Sequence, residues 1–224
     1  MGQIVLVSSL ESLKEQTLFA SHLAVFLAEQ RKTAVVDFAS QTHLLETLIA
    51  KRYHFNLKNK QNLAVPTYFS YHKNLLNEIK NDFDFIVLDG GLNVVLPQAD
   101  IVITLFSNVQ NAQDLAKKDS TLSDMFWKAK KERAIQQKNA FKHLLVPSEK
   151  LENENITVLT KAQSFMGFKL APMWKINEAY QKFFEDGVSV LDKNLPCFQK
   201  QLSEADFWAR RNLKEIFEAV WLDK

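Results

Sequence analysis

The hydrophobic pattern of the chain alternates between short apolar runs and longer helical stretches. Residues 3–8 and residues 33–38 are both apolar runs rich in β-branched side chains. Between them, residues 17–27 carry an apolar or small side chain on nearly every helical turn. Because short apolar runs of this kind are typical of buried parallel strands, residues 1–38 predict a strand, a crossover helix and a second strand.

The same alternation continues to the end of the chain. Further strands are predicted at residues 63–66, 84–89, 101–105, 143–147 and 168–173. Helices are predicted at residues 42–51, 75–79, 109–137 and 204–221. Residues 52–62 are polar and basic without a clear period, which predicts a surface connection. The pattern indicates an α/β fold, with a mostly parallel sheet covered by helices on both faces, and a single domain over residues 1–224.

Composition excludes several classes of protein. The 224 residues are 46% hydrophobic and 24% charged, which excludes disordered and low-complexity chains. The single cysteine, Cys197, excludes a disulfide scaffold and a Cys-rich zinc site. The five histidines have no metal-binding spacing, so no metal site is expected. Without a membrane-spanning run of ~18 apolar residues or a signal-peptide pattern, a cytoplasmic protein is expected.

Glycines are few, and this limits how a phosphate could be bound. The chain has five, and only Gly2 precedes Gly90. In a parallel sheet, ligands bind at the carboxyl ends of the strands, so the loop after Ser8 and the acids Asp37 and Asp89 are candidates. A phosphate loop at the first strand would have to form without glycine. An Asp at a strand end is also a common turn former, so the acids have a purely structural reading as well.

Read together, these motifs resemble the ParA/MinD family of deviant Walker-type ATPases, which dimerise around ATP and position plasmids, chromosomes, division sites, flagella and pili. The segments IVLVS, HLA and VDFASQ resemble the family's first strand, its NLA helix and its VDxDxQ strand end. Residues 84–89, 99–103 and 186–191 resemble the YDxIIID, AD-x-V-I and G-x-P-V-x segments. The resemblance covers nearly the whole chain and implies a P-loop NTPase topology.

The chain departs from this family in the phosphate loop. The positions that match KGGVGKTT are Glu11, Ser12, Leu13, Lys14, Glu15, Gln16, Thr17 and Leu18. The resemblance therefore places Glu11 at the signature lysine that reaches the partner's nucleotide, and Gln16 at the lysine that holds the β- and γ-phosphates. Thr17 keeps the magnesium-holding hydroxyl.

Two of the family's three acids are retained. Asp37 and Asp89 match the magnesium-holding and water-holding acids, whereas Ala39 stands at the second acid of VDxD, which the family associates with hydrolysis.

These losses weigh against ATP binding in the usual mode. A P-loop points successive backbone N–H groups at phosphate and needs glycine for that geometry, but Leu13 and Glu15 carry side chains there. A non-glycine residue in such a conformation costs about 1 kcal/mol or more, and a carboxylate repels phosphate where a lysine would attract it. We therefore expect a pseudo-ATPase with no catalytic residue and no cofactor.

The resemblance implies a positioning or scaffold subunit of a plasmid, pilus or secretion assembly, similar to the TadZ-like pilus-positioning proteins. A homodimer and a protein partner are expected. The alternative is a functional partition-type ATPase that binds ATP, magnesium and nonspecific DNA.

Two surfaces have competing interpretations. The candidate DNA-facing residues are Lys128, Lys130, Lys131 and Arg133. A net charge of only +2 and the lack of interleaved aromatics favour a solvated helix face and weak or no DNA binding. The aromatic and basic C-terminal helix resembles the membrane-targeting tail of MinD relatives, but packing on the sheet is favoured and membrane contact is not expected.

Overall fold

Strands and helices alternate through the part of the chain that the computed structural model describes, residues 2–38, 43–117, 120–149, 151–175, 178–185, 187–192 and 203–221. The strands are β1 Gln3–Ser9, β2 Thr33–Asp37, β3 Thr67–Ser70, β4 Phe85–Asp89, β5 Ile101–Phe106, β6 Lys142–Pro147 and β7 Lys169–Leu170. The helices are α1 Leu13–Ala28, α2 Leu44–Asn59, α3 Leu75–Ile79, α4 Leu92–Val95, α5 Val109–Ala116, α6 Thr121–Ile135, α7 Asn153–Met166, α8 Glu178–Glu185 and α9 Glu204–Trp221.

The seven strands form one sheet in the order β3-β2-β4-β1-β5-β6-β7. Every pairing is parallel, which confirms the predicted sheet. β1 lies at the centre, with β4 on one side and β5 on the other. Asp37 and Asp89 are register partners on β2 and β4, so the two predicted acids lie side by side at the carboxyl edge of the sheet.

Helices cover both faces of the sheet, as predicted. On β1, Val5 and Val7 face the layer of α1, α2, α8 and α9, while Ile4 and Leu6 face the layer of α3, α4, α6 and α7. A strand with both faces covered must be apolar at consecutive positions, which explains the unbroken hydrophobic runs of the sequence.

The prediction for residues 52–66 was wrong. Residues 52–59 continue α2 instead of forming a surface connection, and the strand that follows is Thr67–Ser70 instead of residues 63–66. Residues 63–66 form a connection, in which Asn56 donates to the carbonyl of Leu63 and accepts from its N–H. Pro66 has no N–H to donate to a neighbouring strand, so pairing begins only after it.

Elsewhere the differences are smaller. The helical region predicted at residues 109–137 is divided into α5 and α6, and Ser120 caps α6 by accepting from the Ser123 N–H. The strand predicted at residues 168–173 is reduced to β7, and the sequence pattern did not predict α7 or α8.

The C-terminal helix has the predicted bounds and packs on the sheet. Leu213, Ile216, Phe217 and Val220 of α9 are buried in the core, whereas Phe207 and Trp208 are exposed. In the described residues, no helix combines the length and apolar character needed to cross a bilayer.

Candidate functional site

The candidate site lies at the carboxyl edge of the sheet, where β1, β2 and β4 end. Val7 of β1 pairs with Asp89 of β4, which in turn pairs with Asp37 of β2. The segment that aligns with the phosphate loop, residues 11–18, follows β1 directly. The fold therefore brings the predicted segment and both predicted acids together, as expected for ligand sites in parallel sheets.

Most of this segment is helical. α1 begins at Leu13, with Ser12 as its N-cap in an extended conformation at φ −130°. The Ser12 hydroxyl accepts from the Glu15 N–H across 3.2 Å, and the Ser12 carbonyl accepts from the Gln16 N–H across 3.0 Å. The N–H groups of Glu15 and Gln16, two of the groups that the resemblance assigns to a phosphate loop, are therefore bonded to Ser12.

Gln16 stands where the sequence resemblance predicts the phosphate-binding lysine. Its side chain is buried, accepts from the Ser9 N–H at 2.8 Å and donates from Nε2 to Oδ1 of Asp89 at 2.8 Å. Gly90 has a φ of +87°, and a Cβ there would lie 2.9 Å from Nε2 of Gln16. Glycine at this position therefore gives the Gln16 amide room to lie over the end of β4.

Glu11, which the sequence resemblance predicts at the signature lysine, binds its own chain. Its carboxylate accepts from the backbone N–H groups of Ser107 and Asn108 and from the Asn111 side chain, and it also bonds the Ser107 hydroxyl. These groups form the N-terminal end of α5, where a negative charge is favourable. Burial alone would raise the pKa of Glu11, but the hydrogen bonds outweigh it and lower the pKa below 4.5.

Asp89 is fully buried and only partly satisfied. Its Oδ1 accepts from Gln16, but Oδ2 has no hydrogen-bond partner among the described residues. Burial raises the pKa of Asp89 to about 6. The side chains of Thr17 and Gln16 oppose this shift, and the charge of Asp37 adds to it. A buried carboxyl with a free oxygen beside a second acid is the one part of the site that would suit a cation.

A bound magnesium nucleotide in the family's mode does not fit these residues. Residues 11–18 contain a single lysine, Lys14, and its ammonium group is bonded away from the two acids. Lys14 instead donates to Oε1 of Gln181 at 3.1 Å. Ala39 lies outside the described residues, as do Cys197 and Asp186.

The segment that resembles G-x-P-V-x is fixed by a buried ion pair that the sequence pattern missed. Arg52 makes two hydrogen bonds to the carboxylate of Asp192, at 2.6 and 2.8 Å, and both side chains are buried. Ser189 contacts Nδ1 of His22 at 2.8 Å, and burial lowers the pKa of that imidazole to about 4. The available signal was the spacing of Leu45, Leu48 and Arg52, which places the arginine on the apolar face of α2.

The four candidate DNA-facing residues differ in their exposure to solvent. Lys128 and Lys131 are exposed on α6. Lys130 is half-buried and donates to the carbonyls of Met166 and Gly167 near the end of α7.

Arg133, a candidate for contact with DNA or for a solvated helix face, fits neither interpretation. Its side chain is buried and bonds the carbonyls of Pro97, Ala99 and Asn139 and the carboxylate of Asp100. A guanidinium with its donors used inside the fold is unavailable to phosphate.

Comparison with known proteins supports the family resemblance. The family model described as ATPase MipZ matches residues 12–224. No curated protein matches the chain. Among solved structures, Cyanothece McdA in complex with ATP superimposes with a TM-score of 0.59 at 12% identity, covering 98% of this chain and 95% of that one.

Two further structures share the fold. The MinC:MinD cell division complex of Aquifex aeolicus gives a TM-score of 0.58 at 12% identity, covering 100% of this chain and 97% of that one. A plasmid partition protein of Borrelia burgdorferi bound to AMPPNP gives 0.51 at 15% identity, with coverages of 98% and 99%. At such identities these likenesses show the fold alone, whereas the family match spans nearly the whole sequence. The chain therefore belongs to the MipZ family of ParA/MinD-like ATPases.

Proposed function

We propose that this chain is a positioning or scaffold subunit of the ParA/MinD type whose nucleotide site is closed by its own side chains. The observation that carries the proposal is the Gln16 side chain, which joins the Ser9 N–H to the Asp89 carboxylate. By the sequence resemblance, these contacts lie at the position of the family's lysine, and this supports a site that is closed to phosphate.

Opening the site to a nucleotide would carry several costs. A phosphate at this position would have to displace Gln16, which leaves the Ser9 N–H without its acceptor, and a buried unsatisfied group costs about 1–3 kcal/mol. The helical N–H groups after Ser12 would have to be released as well. Glu11 would add a carboxylate near the phosphates, and no lysine of the segment compensates for it.

A chain that does not respond to ATP needs another way to regulate its assembly. We infer a homodimer that forms independently of nucleotide and a protein partner that recognises it. The family's positioning role supports this inference, and so does the complex of Aquifex MinD with MinC. Plasmid, pilus and secretion assemblies are the candidate systems, and the Borrelia partition protein supports the first.

The second candidate function is a partition-type ATPase with an unusual phosphate loop. It is favoured by one observation, that Thr17, Asp37 and Asp89 all remain buried at the carboxyl edge of the sheet. That function requires the Gln16 and Glu11 contacts to break when Mg-ATP binds.

Calorimetric titration with Mg-ATP and a phosphate-release assay separate the two candidates. We expect no heat of binding at nucleotide concentrations up to about 1 mM. A dissociation constant of about 1 mM corresponds to a binding free energy of about −4 kcal/mol. We also expect no phosphate release above that of buffer alone. Micromolar binding that is lost in Thr17→Ala and Asp37→Ala would show that the site works and would overturn the proposal.

Light scattering over a concentration series tests the dimer. We expect the same mass with and without Mg-ATP. A change from monomer to dimer only after ATP is added would identify a working nucleotide switch.

DNA binding is expected to be weak and salt-labile, since only Lys128 and Lys131 of the candidate residues are exposed. A steep dependence of affinity on salt, abolished by Lys128→Ala/Lys131→Ala, would favour the partition ATPase.

A further inference from the structure

One long segment of the chain has no acidic side chain. Between Glu46 and Glu78 there is no Asp or Glu, but there are five basic residues. These are Lys51, Arg52, Lys58, Lys60 and Lys73. Arg52 is neutralised by Asp192 in the core, which leaves the lysines as the charge that this segment presents to solvent.

The structure exposes three of these lysines and two apolar side chains on α2 and at Lys60, the residue that caps its C-terminal end. Lys51, Lys58 and Lys60 are exposed, and so are Tyr53 and Leu57, at 57% and 62% of their full accessibility. Tyr53 and Leu57 are four residues apart and therefore neighbours on one side of the helix. We call these five residues the α2 surface.

The charge of the α2 surface is not neutralised within the described chain. Among the residues that the structure describes, no carboxylate lies within 4.0 Å of the ammonium groups of Lys51, Lys58 or Lys60. Two exposed lysines elsewhere are paired, Lys117 with Asp114 and Lys214 with Glu218. The α2 surface therefore combines a local excess of positive charge with two exposed apolar groups.

The opposite side of α2 is firmly anchored. Arg52 bonds Asp192 and the carbonyls of Ala64 and Gly187. Asn56 makes two hydrogen bonds to the backbone of Leu63, which fixes the connection that follows the helix. A surface held in this way loses little conformational freedom when a partner binds, and this favours affinity.

We propose that the α2 surface docks an acidic amphipathic helix of a partner protein. The exposed Tyr53 and Leu57 would pack against the apolar side of that helix, and the three lysines would meet its carboxylates. Outside the thymine methyl groups of the major groove, duplex DNA offers little apolar surface to Leu57. Two apolar side chains also give too little buried area for stable insertion into a bilayer. The inference goes beyond the proposed function and does not depend on whether the chain binds nucleotide.

A designed peptide tests the proposal directly. The probe is a fluorescein-labelled helix of about 20 residues with Leu and Phe on one side and Glu on the other, and its anisotropy is followed without nucleotide. We expect a dissociation constant on the order of 10 µM, weakening at higher salt. Lys51→Gln/Lys58→Gln/Lys60→Gln should weaken binding about tenfold and flatten its salt dependence. Tyr53→Ser/Leu57→Ser should also weaken it about tenfold.

Matched controls distinguish this site from general attraction. Lys128→Gln/Lys131→Gln changes exposed lysines of α6, in the helix layer on the opposite face of the sheet, and should leave binding unchanged. A peptide of the same composition without an amphipathic pattern should bind at least about tenfold more weakly. The substituted side chains are exposed, so unchanged thermal unfolding is expected and is measured for each variant.

Several outcomes would overturn the proposal. Failure to bind the peptide would do so, as would equal binding of the unpatterned peptide. Tighter binding of a 30-base-pair duplex, reduced by the lysine changes but not by Tyr53→Ser/Leu57→Ser, would assign the surface to nucleic acid. Cosedimentation with vesicles of anionic phosphatidylglycerol, lost in both variants, would assign it to a membrane.

Discussion

Nε2 of Gln16 lies 2.8 Å from Oδ1 of Asp89, and this hydrogen bond joins the start of α1 to the end of β4. In the family pattern a lysine stands at the first position and an acid at the second. Replacing the ammonium with an amide retains a donor but removes the charge that would stabilise the carboxylate. The Gln16 amide is therefore hydrogen-bonded, but the Asp89 carboxyl beside it has a pKa that is raised to about 6.

Gln16→Ala should destabilise the protein by about 1–3 kcal/mol. The change leaves the Ser9 N–H and the Asp89 carboxylate without their partner in a buried place, and buried groups without partners are costly. Urea unfolding at pH 7 measures the loss. The control is Gln113→Ala on α5, where the side chain is exposed and a change within about 0.5 kcal/mol is expected. Equal stability of the two variants would show that the Gln16 bridge contributes nothing.

Glu11→Gln should loosen the start of α5. The carboxylate accepts from Ser107, Asn108 and Asn111, and the neutral amide loses the charge that favours these bonds, at a cost of about 1 kcal/mol. Hydrogen exchange should therefore be faster over residues 107–112. Glu154→Gln, at an exposed carboxylate in the first turn of α7, is the matched control. Unchanged exchange at α5 would contradict the assignment of Glu11 as its cap.

Asp89→Asn should change how stability depends on pH. The pKa of Asp89 is about 6 in the folded protein against 3.8 ordinarily, so its protonated form favours folding. This contribution is fully present below pH 3.8 and is lost as pH rises through about 6. Relative to wild type, the variant should therefore gain stability between pH 4 and pH 7, by up to about 3 kcal/mol.

Urea unfolding of both proteins across this pH range measures the difference between their free energies of unfolding. The histidine contributions are the same in both proteins and cancel in that difference. Asp82→Asn, at an exposed carboxylate, is the control. A difference between the Asp89→Asn variant and wild type that does not change with pH would show that Asp89 does not titrate in this range.

Arg52→Met should destabilise the protein by about 3–5 kcal/mol. It leaves Asp192 as a buried charge that still accepts from the Ser189 N–H at 2.7 Å but has lost both guanidinium donors. The double variant Arg52→Met/Asp192→Leu removes both charges and should lose less than the sum of the two single changes. Equilibrium unfolding of all three variants gives the coupling energy. Lys51→Met, at the neighbouring exposed position, should change stability by less than about 0.5 kcal/mol, and additive single losses would contradict the ion pair.

The sequence by itself determined the parallel α/β fold and six of the seven strands, although it misplaced β3 and did not predict α7 or α8. Strands such as β1 and β4 are covered on both faces and are therefore apolar at consecutive positions in the sequence. In α9 the buried residues recur at helical spacing. The resemblance also placed Glu11 and Gln16 at the family's two lysine positions, and this assignment remains a prediction from residue types at fixed spacing.

The tertiary structure decided where the polar side chains of the site go. Glu11 finds its partners 96 to 100 residues away, and Arg52 finds Asp192 at a separation of 140 residues. The local pattern around Arg52 is polar and predicted a surface connection, although α2 buries the side chain. Local sequence records which positions are apolar, but a buried charge is stabilised by a distant partner, and that pairing exists only after the chain has folded.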